Sequence, residues 1–343
     1  MTLPVPTSLE PMLAQLRGEI PEGEDWVYEP KWDGFRCLAF RDGDQVDLQS
    51  KAGQPLGRYF PEIVEAVRAL PVPQCVLDGE IAVPIDGALS FDDLLQRIHP
   101  AESRVKKLAA ETPALYLVFD LLVDEKGRSL LEEPWKARRA ALEKFAAKNF
   151  ADGGRIRLSP STHDVAAARR WLRASGGALD GVIAKRADVE YRSGDRTGMQ
   201  KIKFLRTADC VVGGFRYASK GNIVGSLLLG LYSPEGTLEH VGFCSSLTAA
   251  QKKELTPKLE AIVKEPGFTG RAPGGPSRWS TERTGEWKPL DTKLVVEVQY
   301  DHFSQDRFRH GTKFLRWRPD KAPRQCTLDQ VKQESGVAPL ALV

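Results

Sequence analysis

The sequence predicts an α+β fold in two domains, residues 1–206 and residues 207–343. Strand patterns alternate with amphipathic helical patterns over the first domain, which is typical of an α+β arrangement. The composition changes near residue 206, and several short strand patterns then follow with one helical pattern among them. The length of 343 residues is enough for two or three domains.

The first domain is predicted to place strands on both sides of a turn that contains Lys31. Apolar and alternating patterns predict strands over 27–29, 35–40, 44–49, 75–77, 81–83, 115–122, 181–184 and 201–204. Helical spacing predicts helices over 61–70, 135–147 and 165–174. Two acidic turns are expected, at Asp78-Gly79-Glu80 and at Asp180-Gly181, because Asp-Gly is an ordinary turn signal.

The second domain is predicted to be an OB-type β-barrel, since five strands with one inserted helix are its outline. Thr248 and Gln251 have the spacing of a capping box at the start of that helix, and Pro257 is expected to kink or restart it. A Gly/Pro-rich loop is predicted over 266–292. The strands are predicted over 210–215, 226–232, 239–244, 294–300 and 313–317.

Composition argues against a membrane or secreted protein. The chain is 41% hydrophobic and 28% charged, and no apolar run approaches the ~18 residues of a spanning helix. The first 20 residues lack the apolar core of a signal peptide. Five widely spaced cysteines without a C-x-x-C pair argue against structural zinc and fit a reducing, cytoplasmic setting.

The net charge of +3 is unevenly spread. Residues 1–206 carry 30 Lys and Arg against 31 Asp and Glu, whereas residues 207–343 carry 19 against 15. Within 302–324 there are seven cations and two acids. Such a basic stripe suits a polyanion, although a solvated charged strand is the alternative interpretation.

The most informative motif is Lys31-Trp32-Asp33-Gly34-Phe35-Arg36, which has the pattern K-x-D-G-x-R. A lysine in this setting can attack phosphorus and hold a nucleotide covalently, provided that burial and nearby positive charge favour the neutral amine. A surface turn after a strand would look much the same. The downstream motifs decide between these two interpretations.

The downstream motifs supply what phosphoryl transfer needs. Carboxylates of the two acidic turns are candidates for a ribose hydroxyl and a divalent metal, and Phe119 is either a core residue or a stacking surface for a base. Lys201 and Lys203 lie on one face of a strand, where a shared α-phosphate would offset their repulsion. Arg318-Pro319-Asp320-Lys321 is a candidate for the β- and γ-phosphates.

The order K-x-D-G-x-R, D-G-E, F-D, D-G-V-x-x-K, K-x-K and R-x-D-K resembles the covalent nucleotidyltransferase superfamily. The strings EPKWDGFRCLAF, GRYFPE, DGVIAKR, RTADCVV, GSLLLGLY and FLRWRPDK are similar to bacterial ATP-dependent DNA ligases. The resemblance covers roughly residues 10–325 and includes both stand-alone C-type enzymes and the ligase domain of end-joining ligase D. It implies an adenylation domain of antiparallel sheets flanked by helices, followed by an OB domain.

The resemblance also implies a role for each matching residue. Lys31, with Asp33 in its motif, would take AMP, and Glu29 would accept a hydrogen bond from the adenine amino group while Phe119 stacks on the ring. Arg36 and Glu80 would contact the ribose. Lys185, Lys201 and Lys203 would surround the α-phosphate, and Glu80 and Asp180 would hold a divalent metal (Mg²⁺ or Mn²⁺). Arg318, Asp320 and Lys321 would orient pyrophosphate. Lys51 would act as a point charge at a position where the family often has Arg.

The implied reaction uses ATP and nicked duplex DNA. AMP would pass from ATP to Lys31, then to the 5′-phosphate of the nick, and attack by the 3′-hydroxyl would seal the strand. A hinge is expected near Thr207–Asp209, because the second domain must close for the first step and open for the second.

Only 30 residues precede Lys31, and no polymerase module is recognisable, so we expect a minimal two-domain ligase with a repair role. It is expected to be a monomer in the bacterial cytoplasm, associated with the nucleoid, and repair-protein partners are not indicated. The rivals are an RNA ligase, a GTP-dependent capping-type guanylyltransferase and a catalytically silent nucleic-acid-binding scaffold. Glu29 argues against guanine, which presents an acceptor oxygen where adenine has its amino group.

Overall fold

The computed structural model describes residues 1–174, 179–219, 221–274 and 286–332. They form two compact units, the amino-terminal unit Met1–Phe204 and the carboxy-terminal unit, residues 205–332. Within these ranges, none of the helices combines the length and the apolar character needed to cross a membrane.

The amino-terminal unit contains eleven strands and five helices among its described residues. The strands are β1 (Gln15–Arg17), β2 (Trp26–Trp32), β3 (Phe35–Asp42), β4 (Gln45–Ser50), β5 (Gln74–Ala82), β6 (Pro84–Ile85), β7 (Ala88–Leu89), β8 (Leu115–Val123), β9 (Ile156–Leu158), β10 (Leu179–Arg186) and β11 (Met199–Ile202). The helices are α1 (Pro61–Arg68), α2 (Phe91–Gln96), α3 (Glu102–Glu111), α4 (Trp135–Asn149) and α5 (Val165–Arg173).

Two sheets organise this unit. One has the strand order β1-β11-β10-β2 and the other β4-β3-β5-β8-β9, with mainly antiparallel pairing in both. Strand β8 is buried along its whole length, as its apolar sequence predicts. The predicted helices correspond to α1, α4 and α5, and α2 and α3 are additional.

Three segments predicted as turns lie in strands instead, at Lys31, at Asp78-Gly79-Glu80 and at Asp180-Gly181, the last inside β10. Lys31 is part of β2, so the turn is confined to Asp33 and Gly34. Asp78-Gly79-Glu80 lies inside β5, where Gly79 lets the Tyr116 ring pack against the backbone; an added Cβ would be 2.6 Å from that ring. Sheet pairing therefore overrides the local turn signal. A Gly inside a strand can instead let another group pack closely against the backbone.

The carboxy-terminal unit is built on β12 (Arg206–Tyr217), β13 (Val224–Tyr232), β14 (Leu238–Cys244), β15 (Lys288–Pro289), β16 (Val295–Tyr300), β17 (Phe303–Ser304), β18 (Arg307–Phe308) and β19 (Lys313–Trp317), with helix α6 (Ala249–Glu260). Its main sheet has the order β14-β13-β12-β16-β19. Cys244, the last residue of β14, forms a parallel bridge with Thr312, the residue before β19. This order, with α6 inserted after β14, agrees with the predicted OB-type fold.

Local details of this unit both support and correct the sequence predictions. The Thr248–Gln251 capping box is present at the start of α6, and the helix continues through Pro257. The predicted hinge residues 207–209 lie inside β12 and are paired with β16, so they are not an irregular connection. Of the loop predicted over 266–292, residues 275–285 lie outside the described part of the chain.

Candidate active site

A cavity of about 440 Å³ lies between the two sheets of the amino-terminal unit. Strands β2, β10 and β11 supply one side and β3, β5 and β8 the other. The cavity is lined by eight of the residues that the sequence singled out, Glu29, Lys31, Arg36, Lys51, Glu80, Phe119, Lys185 and Lys201. Residues from six separate strands therefore converge on one space of nucleotide size.

Lys31 is held next to a carboxylate. Its Nζ donates a hydrogen bond to Asp180 Oδ2, and Lys203 Nζ lies 3.2 Å from Asp180 Oδ1. Asp180 reaches this position because β10 begins with an irregular register between Leu179 and Gly181. Gly181 has a φ of +135°, and an added Cβ there would be 2.0 Å from the Ile202 carbonyl oxygen. A side chain at Gly181 would thus displace the end of β11 and the backbone of Lys203 that follows it.

Glu80 is the second carboxylate near Lys31. Burial raises the pKa of Glu80 to about 7, against the opposing effects of Lys31 and Arg36 and in the same direction as Asp33 and Asp78. Asp33 itself lies in the bend after β2. A cation bound beside Glu80 would therefore favour the ionised form of this carboxyl, because a nearby positive charge lowers a carboxyl pKa.

Lys201 completes a group of cations. Burial, followed by the charges of Lys31, Lys203 and Lys51, lowers the pKa of Lys201. The repulsion means that the group is short of negative charge, even with Asp180 beside it. A phosphate would supply that charge, which is the chemical property that the sequence predicts for this position.

A second part of the cavity wall is built around Glu29. Glu29 Oε2 lies 2.7 Å from Lys185 Nζ, and both side chains are buried. Glu29 Oε1 is buried and has no hydrogen-bond partner among the described residues. This atom is an acceptor that is available to a ligand donor, because a buried polar atom without a partner is costly.

Lys185 lies at this part of the cavity wall, and it also covers the Phe119 ring at 4.6 Å from the centroid. The Arg36 guanidinium lies 4.5 Å from the same centroid. Asp78 fixes Arg36 in place. Arg36 Nε donates to Asp78 Oδ1 at 2.5 Å, and Arg36 Nη2 donates to Asp78 Oδ2 at 2.6 Å. Asp78 also accepts a hydrogen bond from Tyr191 Oη at 2.7 Å, so Asp78 is committed to this network.

Arg318, Asp320 and Lys321 belong to the carboxy-terminal unit and form a cluster there. Arg318 Nη1 and Lys321 Nζ contact the two oxygens of Asp209 at 2.8 to 3.0 Å. Arg318 also pairs with Asp320 at 2.8 Å, and its hydrogen bond is the main cause that lowers the pKa of Asp320 to about 2. The motif is thus held by an acid on β12.

Sequence reasoning missed several of these neighbours. Asp78 was assigned with Glu80 to ligand or metal binding, whereas it anchors Arg36. Asp209 and Ile183 lie in the strings RTADCVV and DGVIAKR, but no role was predicted for either side chain, and Tyr191 lies in none of the quoted motifs. The contact of Asp78 with Arg36 depends on strand register, because Arg36 pairs with Glu80 and Leu38 with Asp78 across β3 and β5.

The donor set of the cavity fits a divalent cation that keeps other ligands. Glu80 and Asp180 are both oxygen donors beside Lys31. Mg²⁺ is usually bound by one or two carboxylates, with water and substrate phosphates completing its coordination. Within the described ranges no group of three or more His, Cys, Asp or Glu residues could hold a metal.

The chain is similar to known proteins in both of its units. The family model "ATP dependent DNA ligase domain" matches residues 11–203, and the model "ATP dependent DNA ligase C terminal region" matches residues 220–321. DNA ligase C1 of Mycolicibacterium smegmatis is 47% identical over 342 residues, covering 96% of both chains. DNA ligase C of Mycobacterium tuberculosis is 44% identical, covering 97% of this chain and 96% of the relative.

A solved structure of a Lig E DNA ligase superposes with a TM-score of 0.57. The two sequences are 15% identical, and the match covers 90% of this chain and 99% of that one. This likeness concerns the fold alone. The two family models and the two relatives together cover both units of the chain. The chain therefore belongs to the ATP-dependent DNA ligase family.

Proposed function

We propose that this chain uses ATP to seal nicks with a 5′-phosphate and a 3′-hydroxyl in duplex DNA, through AMP bound covalently to Lys31. The observation that carries the proposal is the position of Lys31 Nζ, which lines the cavity and contacts the Asp180 carboxylate. A nucleophile, a proton acceptor and two further lysines for a phosphate are then within one site. This is the set that nucleotidyl transfer requires.

The first step forms a P–N bond between Lys31 Nζ and the α-phosphorus and breaks the bond to the β-phosphate, releasing pyrophosphate. The Asp180 carboxylate is placed to accept the proton that the amine loses. In the second step an oxygen of the 5′-phosphate at the nick displaces Lys31 from phosphorus. In the third, the 3′-hydroxyl attacks the adenylated phosphate, a phosphodiester forms and AMP leaves.

The residues around Lys31 would divide the nucleotide among them. Lys201 and Lys203 would hold the α-phosphate, with Lys51 as a more distant charge, and Arg36 would meet the ribose. Lys185 would also face the α-phosphate, and its present contacts with Glu29 and Phe119 keep its side chain in the same cavity as Lys31 and Lys201.

Glu80 and Asp180 would hold the divalent metal, Mg²⁺ or Mn²⁺. When bound there, such an ion would neutralise phosphate charge. The raised pKa of Glu80 supports the assignment, since the buried carboxyl gains from any added positive charge. Glu80 would also reach the ribose, as the family pattern implies.

We propose that Glu29 selects adenine. Its unpartnered Oε1 would accept a hydrogen bond from the adenine amino group while Phe119 stacks on the ring. Glu29→Gln should raise the KM for ATP in self-adenylation by about 10- to 100-fold and reduce the preference for ATP over GTP, because an amide can donate to the guanine oxygen. The measurement is covalent labelling across a concentration series of each nucleotide.

Glu62→Gln is the matched control for Glu29→Gln. Glu62 pairs with the buried Arg97 at 2.7 Å and lines no part of the cavity, so it reports the effect of weakening a buried ion pair alone. We expect Glu62→Gln to lower the melting temperature and leave the KM for ATP unchanged. An equal KM change in both variants would remove Glu29 from base recognition.

Arg318, Asp320 and Lys321 would orient the pyrophosphate that leaves. Lys321→Ala should slow self-adenylation by about 10- to 100-fold and change the sealing of a pre-adenylated nick by less than about 3-fold, since pyrophosphate takes part only in the first step. Single-turnover rates of the two reactions give the comparison. Lys332→Ala, at an exposed lysine paired with Asp329, is the control, and equal losses in both reactions would exclude the assigned role.

We further infer that residues 1–206 and 207–343 act as an adenylation domain and an OB domain. The excess of Lys and Arg in the second supports contact with nicked DNA through phosphates. A monomer in the bacterial cytoplasm, associated with the nucleoid and acting in DNA repair, completes the proposal. Sedimentation with and without nicked duplex tests the monomer, and DNA-damage sensitivity of a deletion strain tests the repair role.

A further inference from the structure

Tyr191 is a buried tyrosine in the segment between β10 and β11. Its side chain is only 6% exposed, and it is not among the residues that line the cavity. Its hydroxyl nevertheless reaches two groups at the cavity wall. Tyr191 Oη donates a hydrogen bond to Asp78 Oδ2 at 2.7 Å and accepts one from the Met12 backbone N–H at 3.1 Å. The hydroxyl is therefore used both as a donor and as an acceptor.

These contacts close into a network of four residues. Arg36 donates to both oxygens of Asp78, and its Nη2 also lies 3.5 Å from the Met12 carbonyl oxygen. The contacts run from Arg36 to Asp78, through the Tyr191 hydroxyl to Met12, and back to Arg36. Arg36 and Met12 line the cavity, whereas Asp78 and Tyr191 lie behind its wall. We call these four residues the Arg36 network.

The Tyr191 ring is held from behind by groups that lie outside the cavity. The Arg138 guanidinium lies 5.5 Å from the ring centroid, and it pairs with both oxygens of Asp120 at 2.9 and 3.0 Å. The Tyr191 backbone N–H donates to the Leu131 carbonyl at 2.8 Å. Asp120 directly follows Phe119 on β8, so the acid of the F-D motif supports the tyrosine and does not line the cavity.

The segment that contains Met12 has other attachments to the tyrosine's segment. The Glu10 backbone N–H donates to Ser193 Oγ at 3.1 Å, and the Leu13 N–H donates to the Asp195 carbonyl at 2.8 Å. These two contacts flank the contact that Met12 makes with the tyrosine hydroxyl. Because they do not need the hydroxyl, we expect its removal to change the position of Arg36 more than the path of this segment.

The hydroxyl keeps its proton at neutral pH. Burial, and then the charge of Asp78, raises the pKa of Tyr191. The phenol therefore donates to the carboxylate, and a hydrogen bond to an ionised acceptor is stronger than one between neutral groups. Without this donor, Asp78 would be oriented by Arg36 alone. The buried Met12 N–H would also lose the acceptor that it has here.

We propose that Tyr191 is a positioning residue, which fixes Arg36 for contact with the ribose hydroxyls of the nucleotide. The hydroxyl orients Asp78, and Asp78 orients the guanidinium, which lies 4.5 Å from the Phe119 centroid. This inference rests on the proposed function, in which Arg36 meets the ribose. The ribose does not change during nucleotidyl transfer, so the contact would be equally strong before and during the reaction. Its loss should therefore raise KM and leave kcat unchanged.

Tyr191→Phe tests this role, since it removes the hydroxyl and keeps the ring. Self-adenylation is measured with ATP and with 2′,3′-dideoxy-ATP, which lacks both ribose hydroxyls. We expect the KM for ATP to rise by about 10-fold, with kcat within about 3-fold of the wild type. The KM for dideoxy-ATP should change by less than about 3-fold, because that nucleotide offers no hydroxyl to Arg36. The preference for ATP therefore decreases.

Tyr28→Phe is the matched control. Tyr28 is buried on β2, its hydroxyl donates to the Pro21 carbonyl at 2.7 Å, and it does not line the cavity. It should keep the wild-type preference for ATP. Arg36→Gln should lower the preference by itself, and Tyr191→Phe added to it should cause no further loss, because both act through one contact. Circular dichroism checks folding, and Tyr191→Met replaces Tyr191→Phe if that variant is unfolded.

Three results would overturn the positioning role and keep the ligase proposal. They are a folded Tyr191→Phe with the wild-type ratio of the two KM values, additive losses in the double variant, and a wild-type chain that uses both nucleotides equally well. A wild-type chain that never labels contradicts the ligase proposal instead. Binding of ATP and dideoxy-ATP to the wild type and Tyr191→Phe, measured by calorimetry in EDTA, then tests the ribose contact without the reaction. Equal ratios of the two Kd values in both proteins would exclude it.

Discussion

Replacing Lys31 by alanine will leave no covalent AMP on the protein and will reduce nick sealing from ATP by at least about 10⁴-fold, because the reaction loses its nucleophile. Lys31 lies on β2, lines the cavity and donates a hydrogen bond from its Nζ to Asp180. Labelling with α-³²P-ATP, followed by a denaturing gel, measures the covalent product directly.

Lys31→Arg separates the nucleophile from its charge. Arginine keeps the positive charge beside Asp180 but is not a nucleophile at neutral pH, so it should be as inactive in labelling as alanine. Both variants should still seal a nick that already carries AMP, at a reduced rate, since that step does not need the amine. Labelling of either variant by ATP would place the nucleophile elsewhere.

Asp180→Asn is expected to reduce formation of lysyl-AMP by about 10²–10³-fold, the range seen when one preorganised electrostatic group is removed from an active site. The amide keeps the shape of the side chain and loses the charge that faces Lys31 and Lys203. Without that carboxylate, three lysines repel one another and Lys31 loses the acceptor that its Nζ contacts. Rapid-quench labelling at saturating ATP measures the rate.

Asp180→Glu and Asp188→Asn are the companions to this experiment. Glutamate restores the carboxylate with a longer reach and should recover most of the rate. Asp188 is an exposed acid just after β10 that pairs with Arg186, so its amide variant should behave like the wild type. If Asp180→Asn labels as fast as Asp188→Asn, Asp180 has no part in the chemistry.

Much of the site could be predicted because its chemistry is local in sequence. The K-x-D-G-x-R motif identifies Lys31 and Arg36 within one strand and the start of the next. The two-residue period of a strand predicts Lys201 and Lys203 on one face, but β11 ends at Ile202 and Lys203 is the residue that follows it. Apolar patterning predicts β8 and α4 almost to their ends, since burial over many residues gives a strong signal.

The partners of these residues could not be predicted, because they are set by strand register. Asp78 reaches Arg36 across 42 positions through the pairing of β3 with β5. Lys185 meets Glu29 because β10 runs antiparallel to β2, which brings the two buried charges to the same place. No local pattern distinguishes an acid that binds a ligand from one that anchors an arginine.

The Asp-Gly pairs illustrate the same limit. Locally, Asp-Gly predicts a turn, but at 78–79 and 180–181 the glycine serves close packing inside a sheet. Tyr116 occupies the space above Gly79, and the Ile202 carbonyl lies against Gly181. Tertiary contacts of this kind decide the structure of such segments. The sequence identifies the glycines but does not show which group packs against each of them.

The most direct test of the central claim is covalent labelling of the wild-type chain by α-³²P-ATP in Mg²⁺, with α-³²P-GTP beside it, after pyrophosphate treatment to remove any AMP already bound. We predict an acid-labile label from ATP, little from GTP, and discharge of that label when nicked duplex DNA with a 5′-phosphate is added. Labelling by GTP, or an ATP label that nicked DNA does not remove, would contradict the account, as would the absence of any label from ATP.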